Sequence, residues 1–308
     1  MSRSVSQLTG VALAVWSLVA VAQPSSQAQS KFFDSAGVRI HYNDQGSGAP
    51  VVLLHGYAMN LANTARIGLA ERLVDAGYRV LAVDARGHGE SAKPHDPSAY
   101  GAEMARDVVR LLDHLKLSQA HLVGYSMGAI VSNKVRELYP DRLKSVVLGG
   151  AGWQKQGDYA LADLKGSDIA KALERTGSFE EMLRRFSAKQ VPPPTNEEIG
   201  ARNLRMVEGN DLKALAAVMR AWDGFAVPEE NLRQNSVPTR AIVGALDPLK
   251  AKVDALIPVM RNLEVVVIPG ADHGALSLPV FSAHVIEFLK RHPLESSASR
   301  YERECDTR

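Results

Sequence analysis

The chain has 308 residues, 45% hydrophobic and 23% charged, which is the usage of a globular protein with a sizeable core rather than a disordered or fibrous one. Lys and Arg total 36 against 34 Asp and Glu, and a net charge of +2 leaves no electrostatic footprint for nucleic acid or an anionic membrane surface. The single cysteine, Cys305, excludes an intramolecular disulfide framework and a thiolate metal site.

Residues 1 to 29 carry one charge, Arg3, followed by an apolar run from Val11 to Ala22. Ala20-Val21-Ala22 has the small residues that a signal peptidase accepts, and Ser26-Gln27-Ala28 offers a second cut. The run falls well short of the roughly 20 residues needed to cross a bilayer as a helix. It reads as a secretory signal peptide, with the polar stretch Gln23 to Ser30 as an unstructured leader. An exported protein, periplasmic or secreted, with no stable membrane span after signal removal, is the expectation.

From about Lys31, short β-branched runs alternate with helical stretches. Strands are predicted at Val38 to Tyr42, Val51 to Leu54, Arg79 to Val83, Ala120 to Val123 and Lys144 to Leu148. Between them, Glu103 to Lys116 sets Met104, Val108, Leu111, Leu112 and Leu115 on one helical stripe. Such alternation predicts an α/β fold, a mostly parallel sheet covered by helices on both faces. After Leu148 the strands stop, and Gly152 to Asn235 reads as an inserted helical cap. Ser178 with Glu181, and Thr195 with Glu198, have the spacing of capping boxes at helix starts. Leu212, Leu215, Met219 and Trp222 form one apolar helical face. Strands return at Thr239 to Val243 and Glu264 to Ile268, and a closing amphipathic helix runs from about Pro279 to Lys290. The expected division is therefore 1–29 signal and leader, 30–151 and 236–290 core, 152–235 cap, and 291–308 a flexible polar tail.

The chemistry gathers at Gly124-Tyr125-Ser126-Met127-Gly128, which follows the apolar run His121-Leu122-Val123 and opens a helical stretch. Two glycines permit the sharp strand-to-helix turn that lifts a serine hydroxyl above a sheet, and the helix N-terminus favours negative charge developing beside it. A serine hydroxyl needs a base, and the base needs an orienting carboxylate. His273, in Gly270-Ala271-Asp272-His273-Gly274 after the last predicted strand, is the candidate base. Asp247, in Gly244-Ala245-Leu246-Asp247-Pro248 after the preceding strand, is the candidate acid, and Asp272 is the competing carboxylate. The backbone N–H groups of Tyr57, after His55-Gly56, and of Met127 would form an oxyanion hole. His55 and His88 read as structural, and the remaining histidines as surface or core residues. With no HExxH, no GxGxxG after a strand and no phosphate-binding loop, neither a metal nor a cofactor is called for.

These positions together resemble the α/β-hydrolase superfamily, from about Phe32 to Leu289: the HG loop at His55-Gly56, the turn Asp84 to Gly89, the elbow at Ser126, the acid loop at Asp247 and the GxDHG loop at His273. The resemblance implies a sheet of about eight strands with the first few antiparallel and a lid inserted after the sixth. It also implies the serine-nucleophile branch of esterases and perhydrolases rather than the dehalogenases and epoxide hydrolases, whose elbow carries Asp. A small-molecule carboxylic ester or lactone is the expected substrate. The same triad would serve a carbon–carbon bond hydrolase, a prolyl aminopeptidase or a cofactor-free perhydrolase, and a non-catalytic ligand-binding protein is the alternative of a different class.

Overall fold

The computed structural model describes residues 28–158, 163–188, 190 and 192–294. Most of the segment read as signal and leader, residues 1–27, and the tail from 295 to 308 with Cys305, lie outside the described residues. No helix among the described residues is long and apolar enough to cross a membrane.

Eight strands build one sheet: β1 (Gln29–Ser35), β2 (Val38–Gln45), β3 (Pro50–Leu54), β4 (Arg79–Val83), β5 (Ala120–Tyr125), β6 (Leu143–Gly149), β7 (Thr239–Gly244) and β8 (Leu263–Ile268). Their order is β1-β2-β4-β3-β5-β6-β7-β8. The β1–β2 and β2–β4 pairs are antiparallel and every other pair is parallel. Between the strands run α1 (Leu61–Thr64), α2 (Leu69–Asp75), α3 (Ala102–His114) and α4 (Met127–Leu138). The insertion between β6 and β7 contains α5 (Gly166–Thr176), α6 (Glu180–Phe186), α7 (Asn196–Val207), α8 (Leu212–Arg220) and α9 (Glu229–Gln234). Finally α10 (Lys250–Asp254) links β7 to β8, and α11 (Pro279–Arg291) closes the chain.

The central strands are apolar on both faces because helices cover both. Val52, Leu122 and Val146 pack with Met104 and Val108 of α3 and Ile130 and Val135 of α4. Their neighbours in sequence, Val51, Val123 and Val147, point the other way and pack with Leu73 of α2 and Phe281 and Val285 of α11. Parallel pairing then aligns the carboxyl ends of the strands. Leu54 of β3 lies opposite Gly124 of β5, Tyr125 opposite Gly149 of β6, Gly149 opposite Ile242 of β7, and Gly244 opposite Ile268 of β8. The loops bearing His55, Ser126, Asp247 and His273 thus leave the sheet at one edge.

Two expectations are corrected. Gln29 and Ser30 belong to a strand rather than to an unstructured leader. They pair with Asp44 and Asn43, Ser30 Oγ lies 2.9 Å from His41 Nε2, and the Lys31 ammonium meets Asp44 at 2.8 Å. An edge strand needs burial on one side only, and here Phe33 packs beside Tyr42 while the buried Ser35 hydroxyl donates to Asp107 of α3. In the cap, Thr195 and Glu198 form the reciprocal box at the start of α7. Ser178 and Glu181 do not: Phe179 takes the cap position of α6, and the Glu181 carboxylate turns along the helix to Arg185. Leu215, Met219 and Trp222 are buried as the apolar stripe predicts, with α8 packed on α5.

Candidate active site

The strand β5 ends and α4 begins around a single residue, Ser126, held at φ 55° and ψ −116°. A non-glycine residue here costs on the order of 1–3 kcal/mol and persists only when its surroundings dictate it. They do so from both sides. The Ser126 N–H donates to Gly149 O at 2.8 Å, and its carbonyl accepts from Ala129 and Ile130 at 3.0 and 3.2 Å, starting the helix. The flanking glycines let three backbones meet: a Cβ on Gly124 would lie 2.1 Å from Gly128 O, and one on Gly128 would lie 2.2 Å from Leu54 O. Gly128→Ala is therefore expected to destabilise the protein by about 3 kcal/mol or more in chemical denaturation, because the obstacle is backbone and cannot swing aside. Gly200→Ala, where a Cβ meets nothing in mid-helix α7, is expected to stabilise by up to about 1 kcal/mol.

Asp247 and His273 are brought together as the sequence predicts. The Asp247 side chain is 0% exposed; Oδ1 accepts the Leu249 N–H at 2.8 Å, and Oδ2 lies 2.8 Å from His273 Nδ1. A carboxylate facing Nδ1 places the proton there and leaves Nε2 as the free acceptor. Asp272 is occupied elsewhere: Oδ1 accepts the Gly274 N–H at 2.8 Å and Oδ2 takes the amide of Gln190 from the cap. The His273 imidazole, 20% exposed, packs edge-on against Phe186 of α6 at 4.7 Å between centroids.

The Gly149-Gly150 corner lies between Ser126 and His273, whose side chains share no hydrogen bond among the described residues. Gly149 O accepts the Ser126 N–H, and a Cβ placed on Gly150 would stand 3.1 Å from His273 Cε1. On the other side of the serine, the loop His55-Gly56-Tyr57 passes so close that a Cβ on Gly56 would be 3.4 Å from Ser126 Cβ. The Tyr57 N–H has no hydrogen-bond partner among the described residues, and the Met127 N–H, at the first position of α4, has no intrahelical acceptor. Both expected oxyanion donors thus lack an acceptor among the described residues. The Tyr57 phenol reaches away into the cap and donates to Leu215 O of α8 at 3.0 Å, with its ring edge-on to Phe179.

His55 and His88 serve the scaffold. His55 Nδ1 lies 2.8 Å from Gly56 O and its Nε2 accepts the Ala85 N–H at 3.1 Å, which fixes a neutral tautomer. Asp84 gathers His41 Nδ1 at 2.7 Å and the N–H groups of Leu61 and Glu90 at 2.8 and 3.0 Å. Burial lowers His55, lowers His88 to about 3, and lowers His121, whose Nδ1 lies 2.7 Å from Ser145 Oγ, to about 4. His88 and His121 stay neutral in the native state while the unfolded chain protonates below about pH 6.5, so the unfolded state binds more protons and stability drops as the pH is lowered. The expected slope between pH 6.5 and 4 approaches roughly 1.4 kcal/mol per pH unit for His88 and again for His121. Urea unfolding across that range checks it, and His88→Gln should flatten the slope.

A strand–elbow–helix serine with a buried Asp–His pair at the carboxyl edge of this sheet defines an α/β hydrolase. The chain belongs to the α/β-hydrolase fold family, whose sequence profile matches residues 49–273. It is 28% identical over 272 residues, 84% of this chain and 93% of the relative, to a 2-hydroxy-6-oxononadienedioate/2-hydroxy-6-oxononatrienedioate hydrolase of Burkholderia vietnamiensis. It is 36% identical over 124 residues to bifunctional epoxide hydrolase 2 of Sus scrofa, a match covering 40% of this chain and 22% of that protein. A thermophilic esterase from Thermogutta terrifontis superposes with a TM-score of 0.70 at 25% identity, covering 87% of this chain and 100% of the esterase.

Proposed function

We propose that the protein is a serine hydrolase that cleaves a small carboxylic ester or lactone through an acyl-enzyme. Ser126 Oγ attacks the carbonyl carbon while His273 Nε2 takes its proton. The oxyanion collects the N–H bonds of Tyr57 and Met127, and Asp247 steadies the imidazolium. Collapse of the tetrahedral adduct returns the proton to the leaving alcohol. Water, deprotonated by the same imidazole, then attacks the acyl carbon, and Ser126 leaves as the free hydroxyl with the acid as product.

The observation that carries this reading is the buried Asp247 carboxylate 2.8 Å from His273 Nδ1, at the sheet edge where Ser126 is held in strained backbone. A serine at this elbow favours acyl transfer over the epoxide opening named for the Sus scrofa relative. Carbon–carbon bond hydrolysis is the second reading, favoured by the length of the match to the Burkholderia vietnamiensis enzyme.

Labelling with a fluorophosphonate tests the nucleophile, with the adduct expected on the peptide containing Ser126. A panel of acyl esters, lactones, proline anilides and a 2-hydroxy-6-oxo-dienoate then separates the readings, together with peracid formation from acetate and peroxide. Turnover of esters or lactones at least tenfold above the rest is expected; preference for the dienoate would transfer the assignment to the second reading. Export is part of the proposal. Recovery from a periplasmic fraction with an N-terminus at Gln23 or Gln29 is expected, and the second cut would leave Gln29 as the first residue of β1.

A further inference from the structure

We propose that Tyr125, the residue before the serine, is the positioning residue for His273: its phenol ties the backbone of the loop carrying the base to the strand carrying the nucleophile. This rests on the triad reading above and deepens it.

Successive residues of β5 point to opposite faces, so Ser126 rises from the sheet edge while Tyr125 turns down toward α11. There its ring meets Phe281 edge-on at 5.6 Å and lies 5.4 Å from the His273 imidazole, tilted by 48°. The residue is 5% exposed, and the phenol donates to His273 O at 2.8 Å. Burial raises the phenol above its ordinary value, so it keeps this proton wherever the enzyme works. The ring also walls the glycine corner: a Cβ on Gly149 would lie 2.6 Å from Tyr125 Cδ2, and one on Gly150 would lie 2.9 Å from Tyr125 Cζ.

The backbone ties explain why one hydroxyl matters. The acid loop is stitched to the strand and loop before the base, with Ala245 N–H on Ile268 O at 3.0 Å and Leu246 N–H on Ala271 O at 2.9 Å. Those ties end two residues short of His273. The peptide that carries the imidazole is held to the sheet by the Tyr125 phenol. Asp247 therefore sets the direction of the ring, and Tyr125 sets the height of Nε2 relative to the serine oxygen. An error of an ångström there is costly, because proton transfer requires hydrogen-bond contact.

Tyr125→Phe keeps the ring and its packing and deletes only the hydroxyl. Its kcat for a short acyl ester is expected to fall about 10- to 100-fold with KM changed less than threefold. The rate of fluorophosphonate labelling should fall in parallel, since it reads base-assisted attack without substrate specificity. The downfield proton resonance of His273 Nδ1–H, visible in Ser126→Ala, should shift or broaden in Tyr125→Phe. Unchanged kcat, labelling rate and resonance in Tyr125→Phe would overturn the proposal while leaving the triad standing. So would a loss of turnover that merely follows the unfolded fraction measured by circular dichroism. Retained turnover in Ser126→Ala would instead remove the triad reading on which it rests.

Discussion

Replacing Ser126 with alanine is expected to lower turnover of a short p-nitrophenyl ester by about 10³-fold or more, with the fold intact. The substitution removes one oxygen. Alanine bears the same Cβ at φ 55°, and the backbone bonds to Gly149, Ala129 and Ile130 do not involve the side chain. Thermal unfolding should therefore stay within a few degrees of the parent while the labelling reaction disappears. What remains is the contribution of binding and of the Tyr57 and Met127 donors acting on direct attack by water. A variant with the parental rate would mean that another group forms the covalent bond.

Asp247→Asn is expected to be nearly as damaging, lowering kcat by about 10³- to 10⁴-fold at neutral pH, although it is close to isosteric. One oxygen of this side chain is committed to the Leu249 N–H, so an amide at the site keeps its oxygen there and turns its NH₂ toward His273 Nδ1. Two donors cannot face each other. The imidazole must shed the Nδ1 proton and carry it on Nε2, the atom that has to accept from Ser126. Because the side chain is fully buried, no water can relieve the mismatch, and the charge that would steady an imidazolium has gone as well. Single-turnover kinetics check the prediction: the acylation step should slow, while KM changes little. An acylation rate within tenfold of the parent would assign the acid's role to another carboxylate.

Much of the scaffold is legible in the sequence because its central strands are buried on two faces. Val51 to Leu54, Ala120 to Val123 and Lys144 to Leu148 stand out as apolar runs since both sides of each strand must be dry, and their observed boundaries extend the predicted ones by only one or two residues. The first strand escapes notice for the opposite reason. Gln29–Ser35 lies at the edge, pairs through its backbone with β2 alone and draws its hold from Phe33 and the polar ties of Ser30, Lys31 and Ser35, so its composition resembles the polar stretch before it. The Ser178 spacing misleads because the hydroxyl accepts from Glu180 one residue too early for a box, and nothing local distinguishes it from Thr195. In the site, residues after predicted strands were identifiable because loops at the carboxyl ends of parallel strands must converge. Tyr125 and Phe186 were not, although strand alternation could have placed Tyr125 below Ser126. Which loop a side chain meets there depends on the path of residues 270 to 276, and the approach of Phe186 depends on the docking of the cap.

The bond from the Tyr57 phenol to Leu215 O fastens the loop after β3 to the helix α8 that lies over it. A displacement of α8 beyond the stretch of a hydrogen bond would either break that link or drag on the loop that carries Tyr57. If the Tyr57 N–H binds the oxyanion as proposed, the same residue answers to the roof above it, and a substitution that displaces Leu215 would be felt at the serine without touching it.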